Sequence, residues 1–216
     1  MPLLNLIEGR PRRVLEIGCG QGQALLHLKR ERAVEFAAGV ELVPEVAAIA
    51  KRNSEIDVVV TGDIEQIQLD FAPGYFDLII ASHVLEHFKD PWCVARRLGG
   101  LLRPEGQLIG AIPNVRNFKV SLPLVLYGKF QYVHEGILDW THTKFFTKST
   151  IHDFLLSSGF VVEKIEPEFL PRSAVANKMT IGVFKHLFCF AYNFSARLSQ
   201  QAEEKEKEWN SLALRS

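Results

Sequence analysis

"VLEIGCGQGQ", residues 14–23, sets an acid near the end of a short apolar run and follows it with three glycines, Gly18, Gly20 and Gly22. Glycine lacks a Cβ, so it admits dihedrals that other residues avoid and lets a ligand approach the main chain, a freedom that weakens an ordinary helix or strand. A strand that runs into such a loop marks a place where something is held against the backbone.

Outward from this loop, short apolar runs alternate with amphipathic stretches. "RVLEI" (13–17) reads as a buried strand, and "GQALLHLKRE" (22–31) as a helix with Leu25, Leu26 and Leu28 set against a charged face. "EFAAGVEL" (35–42) predicts a second strand, "PEVAAIAKRN" (44–53) a helix opened by Pro44, and "DVVVTG" (57–62) a third strand. "YFDLIIAS" (75–82) supplies a fourth strand, "PWCVARRLGGLL" (91–102) a helix, and "GQLIGAIP" (106–113) a fifth strand after the turn signal "RPEG". This order predicts an α/β fold built on a doubly wound, mostly parallel sheet covered on both faces. Ligands of such sheets sit beyond the carboxyl ends of the strands, near the switch in strand order, and the glycine loop leaves the first strand at that edge.

After the fifth strand the rhythm breaks. Residues 113–147 carry Pro113, Pro123, many aromatics and several histidines without a clean period, and read as a substrate-covering insertion. "KSTIHDFLLSSGF" (148–160) resumes a helix and "FVVEKIEP" (160–167) a strand. Residues 190–198 alternate apolar and polar positions as a last strand would, with a helical reading left open. Residues 1–200 are expected to form a single domain, and 201–216 a charged tail, either a solvated helix or a frayed end.

Composition narrows the partners. A chain of 216 residues, 47% hydrophobic, is long enough for one well-buried domain. Its 25 Lys and Arg balance its 25 Asp and Glu, so no basic field is available to draw in nucleic acid. Cys19, Cys93 and Cys189 are odd in number and form no CxxC, which argues against a disulfide framework or thiolate zinc site and for a reducing cytoplasm. "MPLLNLIEGRPRR" (1–13) has its charges after its apolar stretch, the reverse of an export signal. "TIGVFKHLFCFAYNFSARL" (180–198) contains Lys185, His186 and Arg197 and is a poor transmembrane span, though it leaves a peripheral membrane contact open. The chain is expected as a monomer or homodimer.

Three kinds of cofactor use glycine loops: a nucleoside triphosphate, a dinucleotide and S-adenosylmethionine. A triphosphate loop ends in GKS or GKT, whereas this one has Gln21 and Gln23 and no lysine before Lys29. A dinucleotide loop reads GxGxxG, and here Gln23 stands at the third glycine's position. Glu16 decides the matter, since a carboxylate beside the loop repels a pyrophosphate but suits a cationic amino group and sulfonium.

With "LEIGCGQG" (15–22), "GVEL" (39–42), "GDIE" (62–65) and "FDLIIASHVLEHFKDP" (76–91) in this order, residues 13–165 resemble the class I S-adenosylmethionine-dependent methyltransferases. The resemblance implies a seven-stranded Rossmann-like sheet, S-adenosylmethionine as cofactor and S-adenosylhomocysteine as product. It places Glu16, Ile17, Gly18, Cys19, Gly20 and Gly22 against the methionine and adenosine. It makes Glu41, followed by Leu42, the acceptor of both ribose hydroxyls, a bidentate contact. Asp63 and Ile64 are implied at the adenine, and Ala81, Ser82 and His83 along the methionine and reactive methyl. Cys19 reads as small packing rather than as a nucleophile. "HVLEH" sets His83, Glu86 and His87 at i, i+3 and i+4, a spacing that can hold a divalent metal, but the stretch is read as structural and no metal is expected.

Methyl transfer from a sulfonium is an in-line displacement, so alignment dominates, and an alcohol acceptor also needs its proton removed. "YVHEGILDWTHTKFFT" (132–147) is the candidate acceptor pocket, with His142 as base oriented by Asp139 and His134 as its rival. Equally, these polar residues could pin the insertion down by hydrogen bonds. "IPNVRN" (112–117) followed by "GILDWTHTKFF" (136–146) resembles a bacterial subgroup linked to cell-surface polysaccharide or glycolipid assembly, with Trp140 where that subgroup has arginine. The expected reaction is therefore O-methylation of a saccharide or cell-envelope metabolite, so the acceptor is a small molecule or glycan. A small aromatic or quinone-precursor acceptor is the alternative, and a cofactor-binding domain without turnover a third reading. Since about a dozen residues precede the first strand, closure of the site is expected from the insertion, a second subunit or the acceptor's carrier.

Overall fold

The computed structural model describes residues 2–199, apart from the side chains of Arg172 and Ala176, so the expected charged tail lies outside the described residues. Seven strands form one sheet: β1 (Arg13–Ile17), β2 (Phe36–Glu41), β3 (Val58–Thr61), β4 (Phe76–Ser82), β5 (Leu102–Pro113), β6 (Phe160–Glu168) and β7 (Ala191–Leu198). Their spatial order is β3-β2-β1-β4-β5-β7-β6. All neighbours are parallel except β7, which runs antiparallel between β5 and β6. The doubly wound sheet is thus as expected, and the strand reading of residues 190–198 holds over its helical alternative. The strand order reverses between β1 and β4, which puts the topological switch at the carboxyl ends of "RVLEI" and "FDLIIAS".

Both faces of the sheet are covered, which is why the strands read as continuous apolar runs. Along β1, Leu15 and Ile17 enter one core cluster and Val14 the other. On one side lie α1 (Gln23–Arg32), packed through Leu25 and Leu28, and a 3-10 turn at Pro2–Leu6, packed through Leu3, Leu4 and Leu6. On the other lie α3 (Pro91–Leu101), through Val94, Ala95 and Leu98, and α5 (Lys148–Ser157), through Ile151, Phe154 and Leu155. Asp90 caps α3 by accepting from the Cys93 amide at 3.0 Å, and Thr147 opens α5 in a capping box with Thr150. α2 (Pro44–Lys51) completes the β2-to-β3 connection with Pro44 in its first turn.

The "RPEG" turn signal sits inside β5 instead of before it. Pairing jumps from Phe76 opposite Leu102 to Leu78 opposite Gln107, so residues 103–106 bulge out, with Glu105 left-handed at φ 65°. Three helices were not foreseen. The insertion contains α4 (Phe118–Tyr127), with Pro123 inside it, and the stretch between β6 and β7 contains α6 (Pro171–Met179) and the short α7 (Lys185–Phe188). Asn114 and Asn117 of "IPNVRN" join these two regions: Asn114 Nδ2 donates to the His186 and Cys189 carbonyls at 2.8 and 3.1 Å, and Asn117 Nδ2 to the Cys189 carbonyl at 2.8 Å.

Candidate active site

The glycine loop folds back onto the end of β2. Gly18 and Cys19 donate their amides to the Val40 carbonyl at 2.8 and 3.0 Å, and Gly18, Gly20 and Gly22 all have positive φ. Gly22 is left-handed at φ 82°, which reserves the position for glycine, and a Cβ there would also displace the end of the Ile56 side chain, 2.3 Å away. Cys19 packs over Gly39 of β2, and burial, with the charges of Glu16 and Glu41, pushes its thiol up to about 12. It is a packed thiol and not a thiolate nucleophile.

Beyond the loop is a cavity of about 370 Å³ whose wall includes Glu16, Gly18, Cys19, Ser82 and His83. Two buried acceptors in this wall have no hydrogen-bond partner: Glu16 Oε2, and Asn193 Oδ1 from β7. Burial pushes the Glu16 carboxyl up to about 8, with the Leu25 amide opposing and the Glu41 charge reinforcing. Unpaired buried acceptors are costly, so a wall that carries two of them suits a ligand with cationic donors. The amino end of S-adenosylmethionine is such a ligand, and the residues present fit it.

Glu41 occupies the next position along the strand ends. Its Oε2 accepts from the Gly20 amide and its Oε1 from the Val43 amide, both at 2.9 Å, which leaves each oxygen a further lone pair for a hydroxyl donor. Asp63 is half-buried and braces its own turn, accepting from the Glu65 amide and the Gln66 side chain at 2.9 Å. Ile64, Ile17 and Ala81 turn into the core, and Leu42 is exposed. Of the expected cofactor residues, then, Glu16, Gly18, Cys19, Ser82 and His83 share one cavity, and Glu41 braces the loop beside it.

The wall also contains residues that sequence reasoning missed. Pro2, Leu3 and Leu4 of the 3-10 turn close one side, so the N-terminal residues supply cover that was expected only from elsewhere. Gln107 holds this turn in place: its Nε2 donates to the Leu6 carbonyl at 2.9 Å and the Ser195 hydroxyl at 2.8 Å, and its Oε1 accepts from the Glu8 amide at 3.1 Å. Glu168 and Asn193 complete the wall from β6 and β7, strands that carried no site signal in the sequence.

"HVLEH" forms the exit of β4 and a single 3-10 turn, Leu85–His87, rather than an α-helical face. His83 is left-handed at φ 52°. Burial alone would lower its pKa, but the Glu86 carboxylate, with Glu168 beyond, more than offsets that and raises it. Glu86 is itself 1% exposed, and neither of its oxygens has a hydrogen-bond partner. His83 Nδ1 stands 3.6 Å and His142 Nε2 3.9 Å from its Oε1. Glu86, His87 and His142 each present a donor atom within 4.8 Å of the others, a set able to hold a divalent cation whose third member comes from the insertion.

His142, the expected base, is brought against Glu86 beside the cavity without lining its wall, and not in the expected company. Its Nδ1 donates to the Ile137 carbonyl at 2.9 Å, which leaves Nε2 as the free acceptor facing Glu86. Asp139 does not orient the ring: its Oδ1 accepts from the Thr141 amide and hydroxyl at 2.8 and 2.7 Å, because an Asp two residues ahead closes an Asx turn more readily than it reaches past. Those contacts also hold the Asp139 carboxyl below its usual range. His134 is exposed on the insertion and, like His142, lines neither this cavity nor the larger one beside it.

A second, larger cavity of about 870 Å³ lies between the insertion and residues 170–190, walled by Phe118, Val120, Ile137, Leu138, Phe188 and Phe190 among others. It adjoins the first cavity through the ring pair of Phe190 and His83, 6.4 Å between centroids, and reaches His142 through Ile137.

A family model described as a methyltransferase domain matches residues 2–165. The chain is 28% identical over 147 residues to the ubiquinone biosynthesis O-methyltransferase of Neisseria meningitidis serogroup C (strain 053442), covering 63% of this chain and 61% of that protein. It is 35% identical over 100 residues to the protein of the same name from Xanthomonas campestris pv. campestris (strain B100), covering 44% and 41%. The chain thus spans about three fifths or less of the length of these curated relatives. Among solved structures, an S-adenosylmethionine-dependent methyltransferase from Mesorhizobium loti shares the fold at a TM-score of 0.64 and 18% identity, covering 91% of this chain and 95% of its own. One from Archaeoglobus fulgidus does so at 0.63 and 22%, covering 86% and 85%.

Proposed function

Because the chain belongs to the methyltransferase-domain family, we propose that it transfers the methyl group of S-adenosylmethionine to a hydroxyl of a small aromatic acceptor of the quinone-precursor kind. The observation that carries the choice of acceptor is the larger cavity, walled mainly by aromatic and aliphatic side chains, where a planar apolar ring is better desolvated than a saccharide. The names of the relatives favour the same acceptor class, and the saccharide expectation has no comparable support.

When bound, the sulfonium supplies the methyl group for an in-line displacement by the acceptor oxygen. Glu16 and Asn193 receive the amino end, and Glu41 the ribose hydroxyls. His142 takes the acceptor's proton at Nε2, held in that tautomer by the Ile137 carbonyl, and the imidazolium so formed is stabilised by Glu86 at 3.9 Å. The insertion covers the acceptor. The unpartnered carboxylate of Glu86 favours a second way of removing that proton: Glu86, His87 and His142 would hold a divalent cation, which would supply Lewis-acid activation of the acceptor hydroxyl.

The test is turnover with catechol-type phenols and with sugar nucleotides, after calorimetry has established cofactor binding, with and without a chelator. Methylation of the phenol, lost in His142→Ala while cofactor affinity stays, is the expected result. Chelator sensitivity would assign the proton to the metal route. Turnover of sugars alone would overturn the acceptor assignment, and an absence of cofactor binding would overturn the enzymatic reading.

A further inference from the structure

The chain's charges balance overall but not locally. Residues 106–134 and 169–199 contain no Asp or Glu, yet they carry Arg116, Lys119, Lys129, Arg172, Lys178, Lys185 and Arg197, of which Arg197 is paired with Glu8 and Glu163. The same two segments expose large apolar side chains: Val125 is 79% exposed, Met179 80% and Ile181 92%, and Leu126, Tyr127 and Val183 are exposed as well. In α4 the exposed residues 124–127 are consecutive and Val120 is the buried one, so this helix does not bury an apolar stripe and show a polar back, as a surface helix ordinarily does. The two segments are neighbours. Phe118 and Phe188 pack edge to face at 5.7 Å, and Asn114 and Asn117 hydrogen-bond to the 186–189 backbone.

An exposed apolar patch has a cause outside the monomer. The charge around this one says which. A second copy would bring the same cations against these cations, whereas an anionic lipid surface complements them while its acyl boundary receives the apolar side chains. We propose that α4 and residues 178–185 form a face that docks this protein on anionic lipid membranes, with the apolar side chains entering the headgroup boundary and the lysines contacting lipid phosphates. The proposal does not depend on the acceptor or on methyl transfer. Among the described residues no helix is long and apolar enough to cross a membrane, so this contact is peripheral.

The experiment is co-sedimentation of the full chain with phosphatidylcholine vesicles and with vesicles that also contain phosphatidylglycerol, at low and high salt, beside sedimentation velocity without lipid. The expected result is strong pelleting with the anionic vesicles, weak pelleting with the neutral ones, and partial loss in high salt. The double substitution Val125→Asp with Ile181→Asp should reduce vesicle affinity at least tenfold. Both positions are exposed, so the thermal melt should be unchanged. Lys119→Glu with Lys129→Glu should reduce binding to anionic vesicles alone. Failure to pellet with anionic vesicles, or pelleting unaffected by either pair, would overturn the proposal. So would a lipid-free dimer that the aspartate pair dissociates, since the face would then belong to a second copy.

Discussion

Glu16 and Glu41 stand close together at the strand ends, and their surroundings give them different work. Glu16 is buried and held up to about 8, so from its ordinary 4.5 to that value the folded chain keeps a proton that the unfolded chain releases. Stability should therefore fall as pH rises through this window and level off above it, by a few kcal/mol in all. In Glu16→Gln the fall should be absent in denaturant titrations across that range. A cationic cofactor selects the ionised form, so binding near neutral pH should release up to about one proton, read by calorimetry in buffers of different ionisation enthalpy. Glu41 already accepts two backbone amides, and Glu41→Ala should weaken S-adenosylmethionine binding by roughly 1.5–3 kcal/mol, the scale of charge-assisted hydrogen bonds. Unchanged affinity would remove Glu41 from the ribose.

At the scale of elements, the 3-10 turn at Pro2–Leu6 shows what local pattern can and cannot reveal. It walls the candidate cofactor cavity with its leucines packed in the core and its backbone satisfied by Gln107, far along the chain on β5. Gln107→Leu strands the Leu6 carbonyl and the Glu8 amide, while the Ser195 hydroxyl keeps its bond to Glu163 at 2.9 Å, and should cost ~1–3 kcal/mol per group left unpaired. The loss should be visible as faster amide exchange over residues 3–8 and weaker cofactor binding. The strands were legible because burial on both faces writes an unbroken apolar run into each, as in "LIIA" (78–81). The glycine loop was legible because every part of it is consecutive in sequence. Helix α4 was not, since its exposed apolar residues and Pro123 erase the stripe by which a helix is recognised. His142 was legible as a candidate, but its partners were not: the residues that orient and face it, Ile137 and Glu86, are chosen by how the insertion folds back over β4. Asn193 and Glu168 reach the cavity from strands whose own pattern speaks only of packing.

The whole molecule is organised by close contact between β4, β5 and β7. A Cβ at Gly110 would lie 2.5 Å from both the Ala81 carbonyl oxygen and the Phe194 ring, so the three strands meet there without room for a methyl group. Gly110→Ala should destabilise the fold by roughly 1–3 kcal/mol through overpacking, measured as a lowered Tm, with the site residues themselves unaltered. The position of β7 has a consequence for synthesis. It follows β6 in sequence yet lies between β5 and β6, and it bears Asn193. On the ribosome, a chain that has emerged only as far as residue 189 offers two bare strand edges, the kind that invite mispairing and chaperone capture. The cavity wall is complete only once β7 has inserted between its two neighbours, so occupancy of this cavity reports a sheet whose inner gap has been filled.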